Sequence, residues 1–335
     1  MHIQNIISYL LLTLVLASCG RHESSYAHTT SLLDNSATLV LPTTPVKDQG
    51  KTELCWIYAL LATLETDHIA MGDSLNLSPL WLARKSLEEQ AADAYFAGGS
   101  ISLRGTLPEA MRLLQQYGIV SWDAYHAEVN SHTLARKVER LAKTLSAQKT
   151  GMEKLNISLA DILDDDICPA PRYVFMLGAE YTPLEFAHSI CVAGDWQTYT
   201  SFTHHPFGSS FAVEVPDNRQ RHTAMNIPID SLLYKVKESL RQHHPVAWEG
   251  CLKINDEELI INNSSAQNTR QRLFERHILT DDHCMAIVGM SRNAEGEMVF
   301  VCKNSWGTDD GDCGFRYMTE RQFVLSTIMV MIKQE

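Results

Sequence analysis

The first third of the chain carries apolar residues at the spacing of a helix. After Cys55 they recur at i, i+3, i+4 and i+7, in the series Ile57, Leu60, Leu61 and Leu64. Residues at these positions form one stripe along a helix, so the pattern predicts a helix that begins at Cys55. A cysteine in this place lies at the positive end of the helix dipole.

Two cap patterns predict further helices in the same part of the chain. Ser78 stands before Pro79, as an N-cap residue stands before a proline in the first helical turn. Thr106 and Glu109 have the spacing of a capping box, and Gly118 follows the apolar series after them as a helix stop. We therefore expect the first third to be helical.

The last third has the pattern of β-strands. Residues 246–248, 284–290 and 298–303 are short apolar runs, and a polar turn at 292–296 joins the last two. Residues 126–220 are less periodic and contain several prolines, so we interpret them as an insertion with modest local order. A helical part followed by a β part predicts an α+β fold whose two lobes meet at a cleft. The expected boundaries are a domain at 41–335, with a helical lobe at about 50–125, the insertion at about 126–220 and a β lobe at about 221–335.

The N-terminus has the pattern of an export signal. Residues 6–16 are apolar, but this run is shorter than the roughly 20 residues that span a membrane. Residues 16–19 (LASC) resemble the lipobox of bacterial lipoproteins, which implies a signal peptide at 1–19, lipidation of Cys19 and a place in the cell envelope. Residues 20–40 are then a polar tether. No Lys or Arg precedes the apolar run, and the alternative is a buried N-terminal helix or a chance cysteine.

Composition and charge exclude several classes of function. The chain has 335 residues, of which 45% are apolar, so it has ample material for a core. Lys and Arg number 28 against 40 Asp and Glu, and no basic block is present to neutralise phosphates, so we expect no nucleic-acid binding. The eight cysteines are irregularly spaced without paired C-x-x-C motifs, so we expect no metal site.

Four residues have the types that acyl transfer through a thiol requires. A thiol at a helix N-terminus beside a protonated imidazole is a strong nucleophile, so Cys55 and His283 are the candidate nucleophile and base. Gln49 and the backbone N–H of Cys55 are candidate donors to an oxyanion. Asn304, at the end of the next expected strand, is a candidate acceptor that orients the imidazole.

These residues and their neighbours resemble the papain superfamily of cysteine peptidases. The matching segments are residues 45–50 (PVKDQG), 55–56 (CW), 282–283 (DH) and 304–307 (NSWG). The resemblance implies a papain-like two-lobe fold with the active site in the cleft between the lobes.

The resemblance also implies supporting roles near the catalytic residues. Gly98 and Gly99 look like the glycine pair that lines the cleft and contacts the substrate backbone. Trp306 resembles the tryptophan that shields the hydrogen bond between the catalytic histidine and asparagine. Trp56 follows the nucleophile. Asp282 is expected either to tune the histidine that follows it or to be an exposed carboxylate in a turn.

Within the superfamily, the middle region resembles the bleomycin hydrolase and aminopeptidase C branch. The matching segments are residues 182–186 (TPLEF), 205–207 (HPF), 237–240 (KESL) and 245–251 (PVAWEGC). His283 lies 228 residues after Cys55, a separation that fits a long insertion.

Three departures from the family pattern affect the expected function. Glu53 stands two residues before the nucleophile, where its charge is expected to raise the pKa of the thiol. No long pro-segment lies between Cys19 and Pro42. The chain ends 28 residues after Gly307, without the C-terminal arm that favours aminopeptidase action in that branch, so exopeptidase specificity and the oligomeric state stay open.

The expected function is hydrolysis of peptide bonds in a peptide or protein substrate, through a thioester on Cys55 and without a cofactor. The alternative is a catalytically silent papain-fold lipoprotein that binds peptides or a partner protein, its thiol disabled by Glu53 and Leu54. A third interpretation is a transglutaminase-like acyl transferase, against which Gln49 and Asn304 argue. Any contact with the membrane is expected through the lipid on Cys19 alone.

Overall fold

The structure is a computed structural model, and it describes residues 38–176, 178–192, 194–254 and 265–334. The expected signal peptide, its lipidation site Cys19 and the tether as far as residue 37 lie outside the described residues. Within the described ranges, no helix combines the length and the apolar character that crossing a membrane requires.

The chain enters through the short strand β1 (Leu39–Val40) and then forms a helical lobe around α1 (Cys55–Ala70). Because α1 is buried on nearly all of its faces, it is the central element of this lobe. The helices that follow it are α2 (Pro79–Ala97), α3 (Leu107–Tyr117), α4 (Ser131–Ala147), α5 (Met152–Asp166) and α6 (Pro183–Ile190). A hairpin of β2 (Val174–Met176) and β3 (Ala179–Tyr181) precedes α6.

The second lobe is built on one large sheet. Its further strands are β4 (Trp196–Thr200), β5 (Ser210–Ala212), β6 (Thr223–Asn226), β7 (Val246–Gly250), β8 (His283–Arg292), β9 (Met298–Lys303), β10 (Phe315–Thr319) and β11 (Thr327–Lys333). Within the described residues, the strand order is β10-β9-β8-β7-β11-β4-β6-β5, with β1 beside β8. Neighbouring strands run antiparallel except β4 and β6, which run parallel.

Three more helices belong to the second lobe: α7 (Ile229–Arg241), α8 (Ala266–Glu275) and α9 (Glu320–Ser326). α7 packs on β4, β7, β8 and β11, and α8 packs on α9. The two lobes are joined where α1 packs on β7 and β8, since Ala247 and Cys284 of these strands share one apolar cluster with α1. The lobe contact therefore brings the start of α1 to the start of β8.

Most of the expected elements are present. α1 begins at Cys55, and the Ser78 hydroxyl accepts a hydrogen bond from the Trp81 N–H at the start of α2, as its position predicts. The three apolar runs of the last third are β7, β8 and β9. The prediction of a capping box at Thr106 is wrong. Glu109 forms an ion pair with Arg112 instead, and the Thr106 hydroxyl has no hydrogen-bond partner.

The middle region has more regular structure than its weak periodicity indicates. α4 and α5 lie within it and pack on α2, so they extend the helical lobe. β4 and β5 lie within it as well and join the large sheet. Residues 126–220 are therefore divided between the two lobes.

Candidate active site

Cys55 is the first residue of α1, so its side chain lies at the helix end where backbone N–H groups are unpaired within the helix. A hydrogen bond from the Cys284 thiol is the largest effect that lowers the pKa of Cys55. Burial opposes it, but a hydrogen bond from His283 and the charge of that imidazole add to it. The pKa of Cys55 therefore lies well below the usual value of a thiol.

His283 and Asn304 lie on adjacent strands of the sheet. His283 begins β8, and Asn304 follows the last residue of β9, which pairs with β8. The Nε2 atom of His283 lies 2.8 Å from Oδ1 of Asn304, and both residues are buried. Because Nε2 is occupied by the asparagine, Nδ1 is the ring nitrogen that faces the thiol.

The Trp306 ring lies against the His283 imidazole. Its centroid lies 4.5 Å from that of His283, and the Arg316 guanidinium lies over the Trp306 ring, 4.8 Å from its centroid. Packing of this kind excludes water from the hydrogen bond between the histidine and the asparagine, which strengthens it.

Asp310 completes this group, and the sequence motifs do not reveal it. Its Oδ2 atom accepts hydrogen bonds from the Asn304 amide at 2.8 Å and from Arg316 Nε at 2.9 Å. The hydrogen bond from Arg316 is the main reason why the pKa of Asp310 is lowered. Asp310 is therefore an anion that fixes the orientation of the asparagine.

Gln49 is held by partners on both sides of its amide. Its Oε1 accepts a 2.6 Å hydrogen bond from the Ser305 hydroxyl, and its Nε2 donates to the Thr52 carbonyl at 2.6 Å. An amide nitrogen carries two hydrogens, so one remains for an oxyanion beside Cys55. Ser305, which the sequence analysis did not single out, thus positions the expected oxyanion donor.

The other expected site residues lie in different places. Asp282 is directed to the end of β7, where Oδ1 accepts from the Leu252 N–H at 2.8 Å, whereas both ring nitrogens of His283 face other groups. Gly98 lines a cavity of about 300 Å³ beside the cleft, and Gly99 follows it without lining that cavity. Gly105, which no motif marks, packs on the Trp56 indole and lines the same cavity as Cys55.

A small cavity of about 120 Å³ surrounds the candidate nucleophile. Its lining includes the candidate site residues and their neighbours: Gln49, Cys55, Trp56, Gly105, His283, Cys284 and Trp306. The charged side chains in the lining are those of four acidic residues, Glu53, Asp217, Asp281 and Asp282, and of the basic residue Arg104. The catalytic candidates from both lobes thus share one concave space. Glu53 is exposed, and it does not prevent the lowered pKa of the thiol.

One other group of side chains has the types of a metal site. His204 and His205 both direct Nε2 to the Glu214 carboxylate, at 3.1 and 2.8 Å. Gln271 lies with its amide nitrogen 3.1 Å from Nδ1 of His204, so Nδ1 accepts a hydrogen bond and the proton of this ring is on Nε2. This tautomer donates to Glu214 and has no lone pair on Nε2 for a cation.

Comparisons with known proteins agree with this fold. Residues 174–335 match the model of the Peptidase C1-like family, and this range includes His283 and Asn304 but not Cys55. No curated protein sequence matches the chain.

Two solved structures align with most of this chain. PepW from Lactobacillus rhamnosis HN001 is 16% identical, with a match that covers 98% of this chain and 88% of PepW at a TM-score of 0.63. The bromelain protease from Ananas comosus in complex with the E64 inhibitor is 15% identical, with coverage of 87% and 94% and a TM-score of 0.41. The chain therefore has a papain-like two-lobe fold whose second part, residues 174–335, matches the Peptidase C1-like family.

Proposed function

We propose that the chain is a cysteine peptidase that hydrolyses peptide bonds through a thioester on Cys55. The Cys55 thiolate attacks the carbonyl carbon of the scissile bond, and the oxyanion accepts hydrogen bonds from Gln49 Nε2 and the Cys55 N–H. The imidazolium of His283 gives its proton to the leaving amine, and the thioester remains. His283 then takes a proton from a water molecule, which attacks the thioester and releases the carboxylic acid and the thiol.

One observation carries this proposal. Three groups from separate parts of the chain, Cys55, His283 and Asn304, come together with the imidazole held at 2.8 Å by the asparagine and with a thiol of lowered pKa. An activated thiol is what a nucleophile needs and what a silent binding module does not need. The lowered pKa of the thiol therefore favours the peptidase over the silent alternative.

The finer features of the proposal rest on the sequence. We propose an aminopeptidase-like action on peptides, from the resemblance of the middle region to the bleomycin hydrolase branch. We also propose a place in the cell envelope, from the lipobox pattern that ends at Cys19. A lipid on this residue would be the anchor of the protein.

The experiment is the reaction of the full chain with an epoxysuccinyl inhibitor of cysteine peptidases, followed by mass spectrometry of the labelled peptides. We expect one label per molecule, on Cys55, together with hydrolysis of a mixed peptide pool that the inhibitor abolishes. Cys55→Ala is the control, and it is expected to lose both the label and the hydrolysis. A folded, reduced wild type that takes no label and cleaves no peptide would exclude the peptidase.

A further inference from the structure

The cleft contains an ion pair that the catalytic mechanism does not use. Arg104 lies in the helical lobe, between α2 and α3, and Asp217 lies in the β lobe, between β5 and β6. The guanidinium of Arg104 donates from Nε to Asp217 Oδ2 at 2.7 Å, and Nη2 is 2.6 Å from the same oxygen. The pair therefore bridges the two lobes inside the cleft.

The backbone around Arg104 is fixed against the residue that follows the nucleophile. The Trp56 indole N–H donates to the Leu103 carbonyl at 2.9 Å. Gly105 packs so closely on the same indole that a Cβ atom would lie 2.8 Å from Trp56 Cε2, a distance that real contacts do not show. Arg104 thus projects from a segment that is held on the floor of the cleft beside Cys55.

The opposite side of the pair is fixed as well. The Asp217 N–H donates to Asp281 Oδ2 at 3.2 Å, and Arg104 Nη2 also donates to the Asp281 carbonyl at 2.8 Å. The Asn218 side chain closes the same loop, since it donates to the Val213 carbonyl at 3.0 Å and accepts from the His222 N–H at 2.8 Å. Asp217 is 9% exposed, and the partly exposed Arg104 side chain is held at two points, by the Asp217 carboxylate and by the Asp281 carbonyl, so the pair is a fixed contact and not an isolated surface pair.

The pair stands between two cavities. The cavity of about 120 Å³ around Cys55 and the cavity of about 300 Å³ that Gly98 lines share four residues: Trp56, Arg104, Gly105 and Asp217. The smaller cavity has the volume of about four water molecules, enough for a short piece of a substrate. A peptide that ran from one cavity into the other would have to pass the ion pair.

The charged side chains on the Cys55 side of the Arg104–Asp217 pair favour the binding of a cation there. Asp217 is neutralised by Arg104, and Asp282 forms an ion pair with Lys253 at 3.4 Å. Among the described side chains none forms an ion pair with the Asp281 carboxylate, although the nearby charge of Arg104 acts to lower its pKa. Burial and the neighbouring Asp217 raise the pKa of Asp281 to about 7. A carboxyl group in these surroundings gains more than a solvated one from an ammonium group placed beside it.

We propose that the Arg104–Asp217 pair is a specificity barrier that ends the substrate site next to Cys55, and that Asp281 receives the ammonium group of a free peptide N-terminus there. This inference rests on the proposed peptidase function. The Arg104–Asp217 barrier limits how many substrate residues the cleft accepts beyond the site next to Cys55.

The experiment uses matched peptides that differ at the amino end: free, acetylated, and extended by two residues. Binding to Cys55→Ala is measured by calorimetry, and kcat/KM is measured with the wild-type chain. We expect the free form to exceed the other two at least tenfold in both measurements. Asp281→Asn is expected to remove this preference, whereas the matched control Asp230→Asn, on the exposed first turn of α7, keeps it.

Removing the barrier is expected to admit longer peptides. Arg104→Met, and Asp217→Asn as a second variant of unchanged size, should raise the kcat/KM of the extended peptide at least tenfold relative to the free one. Arg292→Ala, at the exposed end of β8, is the control. A wild type that is labelled on Cys55 but binds and cleaves all three peptides equally would overturn the barrier and leave the peptidase intact. Absent hydrolysis with an intact binding preference would overturn the peptidase and support the barrier.

Discussion

The Asp310 carboxylate accepts a 2.8 Å hydrogen bond from the Asn304 amide nitrogen, on the side of Asn304 that faces away from His283. A carboxylate accepts and does not donate, so this contact fixes which end of the amide is nitrogen. The amide oxygen must then face His283 Nε2, which carries a proton. The result is an imidazole whose Nδ1 is directed to the Cys55 thiol, in the state that a proton exchange with sulfur requires.

Asp310→Ala is therefore expected to lower kcat/KM. Loss of a hydrogen bond to a charged group costs roughly 1.5 to 3 kcal/mol, which corresponds to about tenfold or more in rate. Asn304→Ala is expected to cost more, because it removes the acceptor itself. The kcat/KM for peptide hydrolysis is measured across pH, and its pH profile should change in Asp310→Ala.

The control for this prediction is Asp309→Ala, an exposed neighbour of the same charge. If Asp310→Ala loses activity with an unchanged pH profile and a lower melting temperature, Asp310 acts on folding alone and the assigned positioning role is wrong.

The sequence predicts the parts of this site that local patterns encode. Cys55 is marked by the periodicity of its helix, and His283 and Asn304 by the strands that they begin and follow. Asp310 is not marked, because it lies in an irregular loop and meets Asn304 only once β9 and β10 are paired. The same holds for Arg104, whose partner Asp217 is 113 residues away in the chain.

The glycine that approaches the nucleophile shows a similar limit. Adjacent glycines at 98 and 99 are a visible signal, whereas Gly105 stands alone before Thr106. Only a residue without a side chain fits at this position, because the Trp56 indole occupies the space where a Cβ atom would lie. This contact forms only in the folded chain, so no pattern in the sequence indicates it. Residues 134–148 form a charged amphipathic stretch, but the surrounding prolines lead to an expectation of modest local order for the whole of residues 126–220. Packing of α4 and α5 on α2 stabilises both helices, and the local sequence does not encode that contact.

Cys55 is expected to react with iodoacetamide at acidic pH, because a hydrogen bond from Cys284 and the charge of His283 stabilise its thiolate. The rate of alkylation, followed by mass spectrometry from pH 4 to 9, should exceed that of the exposed Cys313 by about tenfold or more at pH 5. Cys284→Ala should shift the pH dependence of Cys55 alkylation to higher pH. Cys284→Ser, which keeps a hydrogen-bond donor, should shift it less.

The control for the thiol prediction is Cys302→Ala, which removes another buried thiol, on β9. An identical Cys55 profile in wild type and Cys284→Ala would show that Cys284 does not stabilise the thiolate.

Gly105→Ala is expected to destabilise the protein and to lower activity together. The added Cβ atom meets the Trp56 indole at 2.8 Å, so either the ring or the segment that carries Arg104 must shift. Forced overpacking of this kind typically costs about 1 to 3 kcal/mol. Thermal unfolding and peptide hydrolysis are measured on the same preparations.

Gly151→Ala is the matched control for this prediction, because a Cβ atom there meets nothing within 4 Å. It should keep full activity and lose at most about 1 kcal/mol as a weaker helix N-cap. Equal effects of the two substitutions would remove the argument for close packing at Gly105.

The Glu109 carboxylate makes the free energy of unfolding depend on pH in the acidic range. Burial alone would raise the pKa of Glu109, but hydrogen bonds from Arg112 and His222 outweigh it and lower the pKa to about 2 from an ordinary 4.5. The unfolded chain thus binds this proton first as the pH falls, so the contribution of Glu109 is complete above pH 4.5 and is lost between pH 4.5 and 2. Its side chain is 13% exposed, and we expect about 2 kcal/mol at pH 7.

Urea unfolding of wild type and Glu109→Gln between pH 2 and 7 measures this contribution. The difference in the free energy of unfolding should be about 2 kcal/mol at pH 7 and should shrink below pH 4.5 until the two proteins converge. Glu153→Gln, on the exposed first turn of α5, should follow the wild type at every pH because its side chain faces solvent. A difference between wild type and Glu109→Gln that stays constant down to pH 2 would mean that the hydrogen bonds of Glu109, and not its charge, hold α3 to the loop that carries His222.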